Sequence, residues 1–304
     1  MKIIVGTRGS ELALSQTKWV IKNLRNSNPY VEFEIKIIKT KGDKIQNIAL
    51  DKIGDKGLFV KEIEEQLLNK EIDIAVHSMK DMPSNVTSGL KFAAVPKRED
   101  CRDVLVLKEG YKTIYDLPRG AKIGTGSKRR KYQLLKYRDD LEIVSIRGNV
   151  GTRIRKIKEE NLDGVVLAAA GLHRLNIEDE ISFYIPTDIM LPAPAQGALA
   201  IQIRENDESI EKIVSTIKDE KTGIQVEAER AFLHGVDGGC HIPVGAFCTV
   251  DEDRVKLEGL FGTEDGSRIV RTFIEGSADE AKELGYKLAD IILEEMEPCA
   301  KKCI

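Results

Sequence analysis

Cys240 stands in Gly238-Gly239-Cys240-His241-Ile242-Pro243-Val244-Gly245, a setting whose glycines leave the sulfur approachable. Glycine permits backbone geometry closed to other residues and admits a bulky group, whereas a purely structural cysteine usually hides among aliphatic side chains. Such a thiol suits the carrying of a covalent group; the bland reading is an inert, half-buried thiol. A second cluster is cationic: between Lys122 and Lys158 the chain carries Lys128, Arg129, Arg130, Lys131, Arg147, Arg153, Arg155 and Lys156 against Asp139, Asp140 and Glu142. A solvated helix face explains most charge runs, so the case for an anion site rests on where this one falls. A third cluster, His77-Ser78-Met79-Lys80-Asp81, follows the apolar run Ile72-Asp73-Ile74-Ala75-Val76. Polar groups just past a strand's carboxyl end are where open α/β sheets bind ligands; the alternative is a turn with a cap. His77 reads as a packed or hydrogen-bonded histidine rather than a general base.

The elements that must position these groups are legible. Lys122 to Thr125 reads as a strand end, Gly126-Ser127 as turn and cap, and Lys128 to Tyr137 as the next helix. The helix amino terminus offers N–H groups and a favourable dipole to an anion, and Arg129 and Arg130 add forks suited to carboxylates. No Walker A loop is present, and Gly124-x-Gly126 lacks the third glycine of a dinucleotide fingerprint. A second strand, Leu141 to Ile146, leads into Arg147-Gly148-Asn149-Val150-Gly151-Thr152-Arg153, which would set several arginines along one sheet edge. At 304 residues the chain predicts two or three domains. Hydrophobic residues at 41% and charged residues at 32% describe a soluble globular protein, and a net charge of −3 argues against general nucleic-acid binding. No apolar run approaches the roughly 20 residues that span a bilayer, and Met1 to Thr7 reads as a strand and turn rather than a signal peptide. The expectation is a cytoplasmic protein without membrane partners. Five cysteines, an odd number, are no disulfide framework; Cys299 and Cys303 form a CxxxC without further ligands, and no metal is expected.

Over nearly its whole length the chain resembles the porphobilinogen deaminase (hydroxymethylbilane synthase) family. The matching segments keep the family's order: Gly6 to Leu14, Lys56-Gly57-Leu58-Phe59-Val60-Lys61-Glu62, Val76 to Asp81, Arg98-Glu99-Asp100 with Arg102-Asp103, Gly124 to Arg130, Arg147 to Arg153, Ala193-Pro194-Ala195-Gln196-Gly197 and Gly238-Gly239-Cys240. The resemblance implies a transferase that joins four porphobilinogen molecules into a linear tetrapyrrole, releasing ammonia each time, for haem, sirohaem or corrinoid synthesis. It implies a dipyrromethane prosthetic group held by a thioether at Cys240, Asp81 as the central catalytic group, and Ser78, Lys80, Asp81, Thr125, Ser127, Arg129 and Arg130 as cofactor binders. Arg8, Ser10, Phe59, Arg147, Arg153, Arg174 and Gln196 match substrate-binding positions. A monomer is implied, with product hand-over to uroporphyrinogen III synthase. Departures from the pattern remove none of these residues: Gly126 and Lys128 where Ser and Leu are frequent, His173 where a lysine is common, and Cys101 where proline is.

Alternating apolar strands and amphipathic helices, such as Leu58 to Leu68, indicate an α/β protein. The resemblance implies three domains: 1–97 with 192–217, then 98–191, these two doubly wound and similar to periplasmic binding proteins, and 218–304, a smaller α/β domain carrying Cys240. Breaks near Pro96 and Leu191-Pro192-Ala193-Pro194 fit a chain that crosses over and returns. The stretch from Thr40 to Gly57 reads as a lid or an ordinary surface loop. A reading from another class is a two-domain binding module for an organic anion, which needs neither Asp81 nor a modified Cys240.

Overall fold

The computed structural model describes residues 1–40, 60–238 and 242–297. The expected lid therefore falls almost wholly outside the described residues, as do Phe59, Cys240, Cys299 and Cys303. The strand β1 (Lys2–Arg8) is an apolar run that leads into α1 (Glu11–Ser27), whose first turn is capped by the Ser10 hydroxyl accepting from the Ala13 N–H at 3.3 Å. α1 buries Val20, Ile21 and Leu24 against the sheet. The helical crossover lets β1 pair in parallel with both β2 (Glu32–Ile38) and β3 (Ile74–Ser78). α2 (Lys61–Leu68) precedes β3 and buries Ile63 and Leu67.

After β4 (Leu90–Ala94) the chain leaves this sheet and enters a second as β5 (Asp103–Leu107). There follow β6 (Lys122–Gly124), α3 (Lys128–Tyr137), β7 (Glu142–Val144), α4 (Val150–Glu159), β8 (Gly164–Ala168), α5 (Ala169–Leu175) and β9 (Phe183–Tyr184). It then returns to the first sheet as β10 (Leu199–Arg204), followed by α6 (Glu208–Val214). The two five-stranded sheets share one pattern, β2-β1-β3-β10-β4 and β7-β6-β8-β5-β9. In each, the antiparallel strand is the one delivered from the other sheet, β10 in the first and β5 in the second. The doubly wound expectation is thus met with one reversed strand per sheet. Two crossing segments, 95–102 and 185–198, join the lobes.

A third sheet, β11 (Val244–Asp251), β12 (Arg254–Gly262) and β13 (Ile269–Ser277), is antiparallel throughout. Burial alternates along β12 from Arg254 to Gly259, as period two requires of a strand with one covered face. That cover is α7 (Glu220–Gly235) and α8 (Ala281–Met296), with Phe232, Leu257, Leu288 and Ile292 fully buried between. No helix of the described residues is long and apolar enough to cross a membrane.

Candidate active site

β3 ends in a single 3₁₀ turn, Met79–Asp81, whose geometry follows from Met79. Its side chain is 1% exposed and its N–H donates to the Ala198 carbonyl at 3.0 Å, which pins the turn and leaves Asp81 exposed. Arg8 at the end of β1, the cap Ser10, and Ser78 line one cavity with Asp81. Gln16, a buried residue of α1 in the same cavity, donates from Nε2 to the Ser78 hydroxyl at 2.8 Å. Lys80 is half-buried; burial pushes its ammonium down to about 8 although Asp81 opposes the shift. His77, buried behind them, is lowered to about 4, first by burial, and is neutral at pH 7.

The second lobe answers with cations. The Ser127 hydroxyl caps α3 by accepting from the Arg130 N–H at 3.4 Å, and the Ser127 N–H donates to the Thr125 hydroxyl at 3.2 Å. Arg129 and Arg130 are buried rather than open forks, both turned onto Asp103, the first residue of β5. Arg129 Nη1 donates to Asp103 Oδ2 at 2.6 Å, and Arg130 Nε and Nη2 donate to Oδ1 at 3.0 and 2.7 Å. Burial would raise the Asp103 carboxyl, but the two guanidiniums outweigh it and hold it well below the usual carboxylate range. Two cations on one anion leave a net positive charge, so the pair presents field to a ligand rather than a pair of free forks.

Gly148, at φ +120°, forms the turn before α4; its carbonyl accepts from Arg153 Nε at 2.8 Å, and a Cβ there would lie 2.6 Å from Thr152 Cγ2. Arg153 is lowered to about 10, first by burial, then by Arg130 and against Asp81, so its guanidinium shares the field of both lobes. Arg147 acts on it in the same sense and keeps Nη1 buried without a hydrogen-bond partner. Gln196 joins the halves: Oε1 accepts from Lys80 Nζ at 3.2 Å while Nε2 donates to Asp103 Oδ1 at 2.9 Å. Arg174 is drawn toward the crossing segments, donating from Nη2 to the Gly197 carbonyl at 2.6 Å; burial lowers it to about 10, with Glu99 opposing.

The structure thus brings together Lys80, Asp81, Arg129, Arg130, Arg147, Arg153 and Gln196, with Arg8, Ser10 and Ser78 in the adjoining cavity. Sequence reasoning missed Asp103 and Gln16. A carboxylate within a motif segment was the available signal for Asp103; Gln16 gave none beyond its place in the first half of α1. Among the described residues no group of His, Cys, Asp and Glu is placed to hold a metal ion.

Residues 3–212 match the family model "Porphobilinogen deaminase, dipyromethane cofactor binding domain", and residues 224–294 match "Porphobilinogen deaminase, C-terminal domain". A porphobilinogen deaminase of Clostridioides difficile (strain 630) is 63% identical over 297 residues, covering 98% of this chain and 99% of that one. One from Clostridium novyi (strain NT) is 60% identical over 299 residues, covering 97% and 100%. Among solved structures, the methionine-binding protein MetQ aligns at a TM-score of 0.45 and 12% identity over 73% of this chain and 92% of that one. With both family models matched in sequence order and relatives this similar from end to end, the chain belongs to the porphobilinogen deaminase family.

Proposed function

We propose that this protein joins four porphobilinogen molecules head to tail, releasing ammonia at each addition, to give the linear tetrapyrrole hydroxymethylbilane. The observation that carries the reading is the convergence of Lys80 and Asp81 from one lobe with Arg129, Arg130 and Arg153 from the other. Porphobilinogen bears an acetate and a propionate, and a growing chain of it is polyanionic. Concentrated guanidinium charge in an otherwise acidic protein suits that substrate. Departure of ammonia leaves a cation shared with the pyrrole nitrogen; in this reading the Asp81 carboxylate accepts that N–H and offsets the charge. Preorganised stabilisation of this kind contributes roughly 10²- to 10³-fold per group.

The donor set also fits a dipyrromethane. Its carboxylates would meet the net charge of Lys80, Arg129 and Arg130, with Ser78, Thr125 and Ser127 as neutral donors and Asp81 beside the pyrroles. On the substrate side, the buried, unpartnered Nη1 of Arg147 is a donor in want of an acceptor, as a porphobilinogen carboxylate supplies. When bound, the dipyrromethane supplies the primer on which the chain grows; we assign its thioether to Cys240. Arg8, Ser10, Arg147, Arg153, Arg174, Gln196 and Phe59 are assigned to the incoming substrate. In the same reading residues 1–97 with 192–217, 98–191 and 218–304 are the three domains, and the enzyme is a cytoplasmic monomer that passes its product to uroporphyrinogen III synthase.

The test is incubation of the purified protein with porphobilinogen while ammonia and tetrapyrrole are followed. One ammonia per porphobilinogen consumed, with a linear tetrapyrrole appearing, is expected. Binding of porphobilinogen without ammonia release would defeat the reading and favour an organic-anion receptor.

A further inference from the structure

Glu229 lies on α7 of the third unit, fully buried, outside every residue set assigned above. Its Oε1 accepts from Arg98 Nη1 at 2.7 Å and from the Cys248 N–H at 2.8 Å; its Oε2 accepts from Arg98 Nη2 at 2.9 Å and from the Ala195 N–H at 2.6 Å. Arg98, on the first crossing segment, also donates from Nε to the Gln196 carbonyl at 2.8 Å. The turn these groups hold is unusual. Ala195 has φ +58° and Gly197 φ +88°, and a Cβ on Gly197 would lie 2.5 Å from the Glu99 carbonyl oxygen. A non-glycine residue in the left-handed region persists only where its surroundings fix it. What the turn presents is the Gln196 side chain, which bridges Lys80 and Asp103.

We infer that Glu229 is a positioning residue for the condensation. Through Arg98 and the Ala195–Gly197 turn it sets where Gln196 joins Lys80 to Asp103, so the third unit governs the spacing between the two charged halves of the site. The inference rests on the proposed activity. Both carboxylate oxygens are engaged by two donors each, so an amide at 229 would aim its NH₂ at another N–H. Aspartate keeps the charge but falls one methylene short, and so loosens the turn while still facing Arg98.

The test compares the wild-type chain, Glu229→Asp, Gln196→Ala and the double variant, each with its prosthetic group loaded. kcat and KM for porphobilinogen are measured together with deuterium uptake of the peptide spanning 193–198. Glu229→Asp is expected to lower kcat/KM ~10-fold, within the coupling range of contacting residues, with faster exchange confined to that peptide. Added to Gln196→Ala, the same change is expected to cost less than about twofold, because the group it acts through is gone. Additive losses in the double variant would overturn the inference, as would full activity of Glu229→Asp despite faster exchange. Should Glu229→Asp fail to fold, Arg98→Lys, which forfeits the Nε bond to Gln196, replaces it with the same expectation and the same overturning results. A wild-type chain that does not condense porphobilinogen would instead remove the proposed activity and the inference with it.

Discussion

Lys80 is a charge held where burial disfavours it. Its ammonium falls from 10.5 to about 8 on folding, so between those values the unfolded chain binds the extra proton and stability rises with pH; at pH 7 the charge is a net cost. Lys80→Met is therefore expected to raise Tm at pH 7 by a few degrees while abolishing most turnover, and a lowered Tm would contradict this account of the site. Asp81, in contrast, is exposed, and Asp81→Asn is expected to lower kcat roughly 10²- to 10³-fold with Tm unchanged. An active Asp81→Asn enzyme would take Asp81 out of the mechanism. The strand end and the polar cluster that holds these two residues were legible because the cluster follows an apolar strand directly; their separate roles came only from the family resemblance. Asp103 was not legible: Glu99, Asp100 and Asp103 alternate with Arg98 and Arg102, and nothing local says which carboxylate is buried. The answer lies with Arg129 and Arg130 on α3, brought to Asp103 only by the fold.

At the level of elements, the start of α3 depends on β5. Two adjacent guanidiniums at the buried end of a helix need an anion, and Asp103 provides it from the first position of the neighbouring strand. Asp103→Ala leaves both charges buried and unpaired, which costs about 3–5 kcal/mol; the denaturation midpoint should fall accordingly and activity be lost. Ser127→Ala removes only a cap, worth about 1 kcal/mol, so a loss as large as that of Asp103→Ala would contradict the ranking. The helix itself, Lys128–Tyr137 with Ser127 before it, was read correctly from sequence because cap and strand end sit side by side. The reversal of β5 and β10 was not readable. Asp103–Leu107 and Leu199–Arg204 are apolar runs like the others, and their direction is decided by which sheet receives them after the crossing.

Across the whole molecule, the third unit touches both lobes. Arg230 donates to the Pro83 carbonyl at 2.7 Å just beyond Asp81, while Arg271 donates to the Thr187 and Asp188 carbonyls at 2.8 and 2.6 Å on the return crossing. The Lys128–Glu264 pair, 2.7 Å apart, is more exposed on the Glu264 side and is expected to contribute under about 1 kcal/mol. Acid acts on the buried groups. His77 drops from 6.5 to about 4 on folding, so the unfolded chain takes up more protons between those values and stability declines as pH falls through that window. Melting curves should show this decline, and His77→Gln should flatten it; an unchanged slope would place the titration elsewhere. Asp103, held lower still, adds its loss at more acid pH. The central claim is best tested by the intact mass of the purified protein with the modified peptide mapped. The account predicts an excess equal to two linked pyrrole units on the peptide containing Cys240. An unmodified chain that also fails to acquire this mass from porphobilinogen would contradict it.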